Sequence, residues 1–423
     1  MKVIVVGGGA AGLAAAISAA GEGAQVLLLE KNEKLGRKIY ITGKGRCNLT
    51  NACDDDEFFR HIMRNPRFMY SSYRSFSCRD MMELLESAGL RLKVERGSRV
   101  FPASDHASDV TRTLGRIAAG RGVGIRLNTA VRNLIIEDGI CRGVKTAEGD
   151  MSADRVIVAT GGLSYPSTGS TGDGYKWARA AGHDVRELFP SLVPLAAAVD
   201  GGWDIASMAG LSPRNVTLTL IRGKKRTRSE IGEMLFTHEG ISGPLVLTLS
   251  SMISGEDLSG MRLELDWKPA LSEDELDARL LREFDAAPKK SLKNVMRSLL
   301  PESAVMPVLS QSETDPDAPA AEVTKAARLS LLHALKSFRL KIKGLGPMEG
   351  AVITRGGIDT RQIDPATMES KLIKGLFFAG EVLDVDATTG GFNLQIAWTT
   401  GWAAGAAAGR ILQGQDKQTF YTE

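Results

Sequence analysis

Three glycines near the start of the chain have the spacing of a dinucleotide-binding turn. Gly7, Gly9 and Gly12 follow the apolar run KVIVV at residues 2–6 and precede a run of small residues typical of a helix. The first glycine permits a tight turn, the second leaves room for a diphosphate against bare backbone, and the third lets strand and helix pack closely. The N–H groups at the start of that helix would bind the negative charge of the diphosphate.

An acidic residue at the end of the next predicted strand narrows the choice of dinucleotide. Residues 25–29 predict a second buried strand, which is followed directly by Glu30. A carboxylate at this place accepts hydrogen bonds from the hydroxyls of an adenosine ribose and disfavours a 2′-phosphate. The unit therefore predicts a Rossmann-like domain that binds FAD or NAD rather than NADP.

Further glycine-bearing segments favour a flavin over a nicotinamide as the resident cofactor. They are residues 36–51 (GRKIYITGKGRCNLTN), 155–162 (RVIVATGG) and 376–394 (LFFAGEVLDVDATTGGFNL). A nicotinamide dehydrogenase has no need of a late strand followed by a glycine-led helix, whereas flavoproteins with two dinucleotide-binding domains use both. Together with residues 236–244 (FTHEGISGP), these segments resemble the BaiN/YhiN-like family of bacterial FAD-dependent oxidoreductases, and the resemblance extends from Met1 to about Gly409.

The resemblance implies a set of contacts to noncovalently bound FAD. Ala10 and Ala11 would lie over the diphosphate, and Glu30 would bind the adenosine ribose. The N–H groups of Asn393 and Leu394 would donate to the pyrimidine end of the flavin, which stabilises negative charge on its reduced form. The other implied contacts are Arg37 and Lys38 on the adenosine and phosphates, Val131 on the adenine, Gly43, Gly45, Arg46 and Asn48 near the ring, Gly380 and Glu381 on the ribityl phosphate, and Thr160, Gly161, Asp386, Gly391 and Phe392.

Two polar residues are candidates for catalysis. Tyr165 stands in the glycine- and serine-rich loop of residues 162–174, where it would donate a proton or bind a substrate carbonyl. His238 stands in a motif-like, glycine-bearing loop, where it would supply a proton or anchor an oxyanion. A purely structural role stays open for both residues.

The cysteines and histidines predict neither a metal site nor structural disulfides. Four cysteines occur, Cys47, Cys53, Cys78 and Cys141, without a CxxC pair or the spacing of metal ligands. Reduced thiols in a cytoplasmic protein are the expectation. Cys47 adjoins Arg46, which would lower its pKa, but with no partner cysteine nearby in sequence we interpret it as a packed loop residue.

The fold class predicted is α/β, with a Rossmann-like FAD-binding domain at residues 1–190 and 350–423. Residues 124–146 predict an antiparallel β-meander with a hairpin turn at Asp138-Gly139. An insertion separates the two halves of this domain, and we expect it to lie over the flavin and to select the substrate.

The insertion has two parts with different sequence patterns. Residues 191–270 predict a β-rich substrate domain, either barrel-like or a sandwich, with strands at 216–220 and 245–249. Residues 271–349 predict a small helical subdomain, which opens with the capping-box pattern Ser272-x-x-Glu275 and contains a helix at 323–338.

Composition excludes several classes of protein. The chain has 423 residues, 43% hydrophobic and 24% charged, with a net charge of +3, so it is neither disordered nor strongly basic. Nucleic acid is therefore an unlikely main partner, and the basic run at residues 222–228 is interpreted as a solvated hairpin turn without aromatic stacking platforms. The uncharged residues 3–21 are mostly glycine and alanine, so we expect no membrane span.

The function predicted is FAD-dependent transfer of hydride from NADH or NADPH to a small organic acceptor. The family resemblance implies an enone-type carbon–carbon double bond, as in 3-oxo steroids or bile acids, and leaves a flavin-dependent amine oxidase open. Two other classes are weighed: a flavoprotein that modifies transfer RNA, and a non-catalytic electron-transfer module. The large insertion argues against a simple electron carrier, and oligomeric state is left open.

Overall fold

The computed structural model describes residues 1–410, which divide into two compact units. The first unit contains residues 1–189 and the chain from residue 353, and the second contains residues 190–352. The insertion predicted between residues 191 and 349 thus corresponds to the second unit. Its predicted helical part, residues 271–349, belongs to the same unit as its strands.

The first part of the chain contains eleven strands and seven helices. They are β1 (Lys2–Val6), α1 (Ala10–Gly21), β2 (Gln25–Leu29), α2 (Arg37–Ile41), β3 (Thr50–Asn51), α3 (Asp55–His61), α4 (Pro66–Ser75), α5 (Cys78–Ser87), β4 (Leu92–Glu95), β5 (Arg99–Pro102), α6 (Ala107–Gly120), β6 (Gly124–Arg126), β7 (Val131–Glu137), β8 (Ile140–Thr146), β9 (Gly149–Ser152), β10 (Arg155–Val158), α7 (Asp173–Ala180) and β11 (Phe189–Ser191).

The remaining elements complete the second unit and return to the first. In residues 195–345 they are β12 (Leu195–Val199), β13 (Thr217–Arg222), β14 (Lys225–Arg228), β15 (Leu235–Phe236), β16 (Gly240–Ser242), α8 (Pro244–Ile253), β17 (Arg262–Asp266), α9 (Glu273–Ala286), α10 (Leu292–Met296), α11 (Glu302–Gln311), α12 (Lys325–Lys336) and β18 (Phe338–Leu345). From residue 353 they are β19 (Ile353–Arg355), β20 (Leu376–Phe378) and α13 (Phe392–Gly409).

A parallel five-stranded sheet forms the centre of the first unit. Its order is β20-β10-β1-β2-β6, and every neighbouring pair is parallel. Strands β1 and β10 are almost wholly buried, as expected for β-branched runs covered on both faces. The Rossmann-like α/β fold is confirmed, and it places the carboxyl ends of β1, β10 and β20 at one edge of the sheet.

Helices α1 and α13 pack against each other through small residues. An added Cβ at Gly401, Gly405 or Gly409 would lie 2.2, 2.2 or 2.6 Å from the carbonyl oxygen of Ala11, Ala15 or Ala19 respectively. The two backbones therefore approach more closely than any larger side chain permits. This contact accounts for part of the high glycine content, and it fixes the start of α1 relative to α13.

The β-meander starts later than its sequence pattern suggested. Strands β7, β8 and β9 form the antiparallel meander, and Asp138 and Gly139 make the turn with φ of 50° and 73°. Residues 124–126 instead form β6, which pairs in parallel with β2. The prediction that the meander begins at residue 124 was wrong, because three alternating residues fit either kind of sheet equally well.

The second unit contains one seven-stranded antiparallel sheet and five helices that share a hydrophobic core with it. The strand order is β14-β13-β17-β18-β12-β16-β15, so one of the central strands, β18, comes from the part of the insertion predicted to be helical. Residues Ser272 and Glu275 form the predicted capping box at the start of α9. The expected helix at residues 323–338 is α12, which ends at Lys336 because Phe338 already begins strand β18.

One predicted strand of the insertion is a helix. Residues 245–249 lie inside α8, where Gly243 has a φ of 93° and Pro244 occupies the first helical position. Glycine and proline at these places are the usual start of a helix. The prediction was wrong because a short apolar run does not distinguish a buried strand from a buried helix.

The basic run at residues 222–228 forms the β13–β14 hairpin. Its arginines pair with carboxylates: Arg222 with Glu256, Arg226 with Glu264 and Arg228 with Asp266. The interpretation as a solvated hairpin fits this arrangement. In the part of the chain described, no helix is both long and apolar enough to cross a membrane.

Candidate functional site

The three fingerprint glycines of the first unit serve three different purposes. Gly7 has a φ of 104°, and a Cβ there would lie 2.5 Å from the carbonyl oxygen of Ala159. A Cβ on Gly12 would lie 1.8 Å from the Gly7 oxygen, whereas one on Gly9 would meet no atom within 4 Å. Packing therefore requires Gly7 and Gly12, while Gly9 borders open space next to the start of α1.

That open space adjoins a helix end suited to an anion. Helix α1 begins after Gly9 without a side-chain cap, and its first turn, at Ala10 and Ala11, has no acidic residue. The unpaired N–H groups and the positive end of the helix dipole favour a phosphate group there. Both observations fit the diphosphate of FAD.

Glu30 organises the side of the site predicted to bind adenosine. Its carboxylate accepts hydrogen bonds from Gly8 N (2.7 Å), Asn32 N (2.8 Å) and Asn32 Nδ2 (2.6 Å). Arg37 donates to the Asn32 amide oxygen at 3.0 Å, and Thr129, shortly before Val131, bonds the Glu30 carbonyl through its N–H at 2.9 Å. The fold therefore gathers Glu30, Arg37 and the Val131 segment, and it adds Asn32, which sequence reasoning missed.

A partly buried polar network joins three distant parts of the chain. Lys38 Nζ donates to Ser164 Oγ (2.6 Å) and to Glu381 Oε2 (2.6 Å), and Ser164 Oγ donates to Glu381 Oε1 (2.7 Å). The Thr354 N–H also donates to Glu381 Oε1 at 2.8 Å. Lys38 and Glu381, both predicted as cofactor contacts, are thus held in one network, and Ser164 and Thr354 were not anticipated.

The loop predicted to approach the flavin ring has an unusual backbone. Gly43, Lys44, Gly45 and Cys47 have φ values of 58°, 58°, 87° and 61°. Non-glycine residues adopt this left-handed conformation rarely, and strain of this kind is concentrated at functional sites. Arg46 in the same loop pairs with carboxylates of Glu95 and Asp105 and covers the ring of Phe101.

Cys47 is a packed loop residue. Its side chain is wholly buried, and burial raises the pKa of its thiol to about 12. The neighbouring guanidinium of Arg46 is occupied by the two carboxylates, so it does not activate the thiol.

The start of α13 presents backbone N–H groups. Gly391, with a φ of 98°, precedes the helix, and its N–H lies 3.1 Å from the Asn48 side-chain amide, whose oxygen accepts it once the amide is turned over. The Asn393 side chain bonds Ala387 and Thr388, so only its backbone can serve a ligand. The Phe392 ring stacks on His61, with ring centres 4.1 Å apart, and faces the core. Asn393 and Leu394 thus lie in the first turn, where helix N–H groups have no partner within the helix.

The ends of β10 and β20 converge on α1. A Cβ on Gly380, whose φ is 79°, would lie 2.7 Å from the Ala11 Cβ. Thr160 follows β10, and its buried hydroxyl has no hydrogen-bond partner among residues 1–410, while Gly161 next to it has a φ of 73°. Gly380 therefore lies against the start of α1, and Thr160 lies next to Gly7, while the role of these residues in cofactor binding stays a prediction.

Asp386 is a buried carboxyl group with few neighbouring groups that stabilise its negative charge. Its side chain is 2% exposed, and neither oxygen has a hydrogen-bond partner among the residues described. Arg64 Nε lies 3.3 Å from Oδ1 without the alignment of a hydrogen bond. Burial raises the pKa of Asp386 to about 6, although the charges of Arg64 and Arg355 oppose the rise. Asp386 is therefore paired with Arg64 by charge alone, six residues before the helix predicted to bind the flavin.

This burial predicts a pH-dependent effect of Asp386→Asn. The folded protein binds the Asp386 proton more tightly than the unfolded chain, whose carboxyl has the ordinary pKa of 3.8. This tighter proton binding stabilises the folded protein fully below about pH 4, and the stabilisation is lost as the pH rises through about 6. In denaturant unfolding of the FAD-free protein, the variant should gain about 3 kcal/mol relative to wild type between pH 4 and 7. Asp138→Asn, on an exposed turn, is the control, and a pH-independent difference for Asp386→Asn would contradict the assignment.

The two catalytic candidates lie in different units. Tyr165 is partly buried in the first unit and has a φ of 50° at the start of a short 3-10 turn. His238 is exposed in the second unit, between β15 and β16. Tyr165 follows Thr160 closely in sequence within the first unit, whereas His238 lies outside that unit.

The open space at Gly9, the uncapped starts of α1 and α13, and the unpaired hydroxyl of Thr160 fit FAD. A family model described as the HI0933-like protein Rossmann domain matches residues 1–407. The chain belongs to the HI0933-like family. This is a family of FAD-dependent flavoprotein oxidoreductases, which confirms the resemblance recognised in the motifs.

HI0933-like relatives with known names extend over nearly the whole chain. One is a 3-dehydro-bile acid delta(4,6)-reductase of Clostridium scindens, 33% identical over 96% of this chain and 98% of the relative. Another is a ribosomal RNA dihydrouridine synthase of Escherichia coli, 30% identical over 95% of this chain and 96% of the relative. A solved 3-ketosteroid-delta4-(5alpha)-dehydrogenase of Rhodococcus jostii is 16% identical, with a TM-score of 0.50 over 97% of both chains, and shares the fold.

Proposed function

We propose that this protein reduces a carbon–carbon double bond conjugated to a carbonyl, with NADH or NADPH as the electron donor. The observation that carries the proposal is the near-full-length similarity to two relatives with different substrates. A delta-4 bond next to a 3-oxo group and the 5,6 bond of uracil are both conjugated to a carbonyl. Saturating either requires a hydride at the β-carbon and a proton at the α-carbon.

The residues of the first unit would perform the positioning. The start of α1 and Glu30 would hold the diphosphate and adenosine of FAD, and the Lys38–Ser164–Glu381 network would fix the segments on either side of the cofactor. Bound FAD would supply the two-electron chemistry. The N–H groups at the start of α13 would stabilise negative charge at the pyrimidine end of the flavin.

The second unit would select the acceptor, because the FAD contacts proposed here all belong to the first. A steroid-like small molecule is the favoured substrate, given the higher identity to the bile acid reductase. Uridine in ribosomal RNA is the second candidate, favoured by the similarity to the dihydrouridine synthase. The carboxylate-paired arginines of the β13–β14 hairpin give this second candidate no additional support.

Anaerobic titration tests the donor and the acceptor separately. NADH or NADPH should bleach the flavin absorbance of the purified protein. A 3-oxo-Δ4 steroid should then restore it, whereas an amine should not reduce the oxidised enzyme. Ribosomal RNA lacking dihydrouridine serves as the alternative acceptor. If an amine bleaches the flavin, and neither an enone nor RNA reoxidises it, the proposal is wrong and the protein is an amine oxidase.

Tyr165→Phe and His238→Phe test the proton donor. Both variants should keep FAD and its spectrum, while reoxidation of the reduced flavin by the enone should slow by about 10²–10⁴-fold if the residue donates the proton. Tyr70→Phe and His333→Phe, which alter exposed residues, are the matched controls. Normal reoxidation in both test variants would assign the proton to water or to another group.

A further inference from the structure

His61, the last residue of helix α3, contacts the segment that leads into α13 in two ways. Its ring is stacked on that of Phe392, the first residue of α13, with ring centres 4.1 Å apart and planes inclined by 13°. Its Nδ1 atom lies 2.7 Å from the hydroxyl of Thr388. Phe392 and Thr388 are buried, whereas the His61 side chain is 33% exposed. Stacking alone would suit any aromatic ring, so the hydrogen bond is what requires histidine.

Glu57 orients the His61 ring. It lies one turn earlier on α3, and its Oε1 atom is 2.9 Å from His61 Nε2. An ionised carboxylate only accepts hydrogen bonds, so Nε2 donates to Glu57, and Nδ1 of the neutral ring accepts from the Thr388 hydroxyl. The other carboxylate oxygen of Glu57 pairs with Arg60 at 2.6 Å. Glu57 thus determines which nitrogen of His61 faces Thr388.

The loop of residues 386–391, which we call the α13 loop, is held on two sides. On one side, Thr388 N donates to the His61 carbonyl oxygen at 3.0 Å. On the other, Asn51 Nδ2 donates to the Gly390 carbonyl oxygen at 3.0 Å. The His61 side chain therefore adds its hydrogen bond to a loop whose backbone is already placed beside it.

The Asn393 side chain joins the α13 loop to the first turn of α13. Its Oδ1 accepts from Ala387 N at 2.9 Å, and its Nδ2 donates to the carbonyl oxygens of Ala387 and Thr388 at 2.8 and 3.1 Å. Thr388, whose hydroxyl is bonded to His61, is thus also bonded to the residue whose backbone N–H is predicted to serve the flavin. A displaced loop would turn that N–H group away from the ligand.

We propose that His61 is a positioning residue for the flavin: through Thr388 and Phe392 it fixes the first turn of α13, and it thereby raises the reduction potential of bound FAD. The N–H groups of a fixed helix start stabilise negative charge on the reduced flavin more than they stabilise the neutral oxidised form. Loosening this turn should therefore weaken the binding of the reduced form more. The inference rests on the proposed binding of FAD to the first unit, and it does not depend on the substrate.

His61→Phe tests the proposal, because it keeps an aromatic ring for stacking and removes both ring nitrogens. In the FAD-free protein, amide exchange in peptides that cover residues 386–394 should be roughly five- to tenfold faster than in wild type. In the FAD-loaded protein, reduced FAD should be bound about tenfold more weakly relative to oxidised FAD, which lowers the two-electron potential by about 30 mV. Hydrogen–deuterium exchange with mass spectrometry measures the first effect, and reduction against a reference dye measures the second.

Two further variants separate this hydrogen bond from other effects. Thr388→Val removes the same bond from the loop side with little change in volume, and it should reproduce both effects. Because each variant breaks the same bond, the double variant should lower the potential no further than either single one. Arg60→Ala, which alters a side chain that is 69% exposed on the same helix, is the matched control and should leave exchange and potential as in wild type.

The two measurements decide the proposal independently of the enzyme's activity. Unchanged amide exchange in either folded variant would mean that the bond does not hold the α13 loop, and would overturn the proposal. Faster exchange with a wild-type potential would also overturn it, because the loop would then have no influence on the flavin. A protein that shows both shifts but reduces no enone would instead refute the proposed function and leave the role of His61 standing.

Discussion

Replacing Gly9 with valine should abolish FAD retention while leaving the fold intact. Gly9 has φ −81° and ψ −165°, an extended conformation that valine adopts, and a Cβ there meets no protein atom within 4 Å. The branched side chain would instead occupy the space next to the start of α1, where the diphosphate is expected. Loss of two charge-assisted hydrogen bonds there weakens binding by roughly 3 kcal/mol or more, which is about 100-fold. The flavin absorbance of the purified variant, with thermal unfolding of its FAD-free form, measures both effects.

Gly12→Val is the contrasting control for this experiment. Its Cβ would lie 1.8 Å from the Gly7 oxygen, so this variant should fail to fold rather than merely lose FAD. If Gly9→Val retains full flavin occupancy, the diphosphate site lies elsewhere.

Gly401→Val should destabilise the first unit by about 3 kcal/mol or more. The new side chain would start 2.2 Å from the Ala11 carbonyl oxygen and would force α13 away from α1. Both helices begin at the proposed cofactor site, so FAD retention should fall together with stability.

Ala406→Val, on the same helix but partly exposed, is the matched control for the α1–α13 contact. Denaturant unfolding of both variants measures the difference. Equal stability of Gly401→Val and Ala406→Val would mean that the close approach of the two helices does not support the fold.

The spacing of the glycines predicted the nucleotide-binding unit well, because each fingerprint glycine is required by the local geometry of one strand–turn–helix unit. The contacts of Gly7 and Gly12, and the open space at Gly9, match the roles inferred from their positions. The parts that sequence reasoning missed depend on long-range proximity. Ser164, for example, meets Lys38 and Glu381 only after the sheet has assembled.

Other differences come from patterns that fit two structures equally well. Residues 245–249 form a helix, and residues 124–126 belong to the parallel sheet. A short apolar or alternating stretch does not by itself determine whether it forms a helix or a strand, or which strand it pairs with. The altered acidity of Asp386 was also invisible in sequence, since it arises from burial beside Arg64.

A single anaerobic turnover tests the central claim most directly. The enzyme is reduced with one equivalent of NADH or NADPH and then mixed with one equivalent of a 3-oxo-Δ4 steroid. Flavin absorbance is followed, and the steroid is analysed by mass spectrometry. We predict that each flavin reoxidised yields one saturated ketone, heavier by two hydrogens. A flavin that stays reduced with the steroid and with uridine-containing ribosomal RNA, yet reoxidises promptly with dioxygen, would contradict the account.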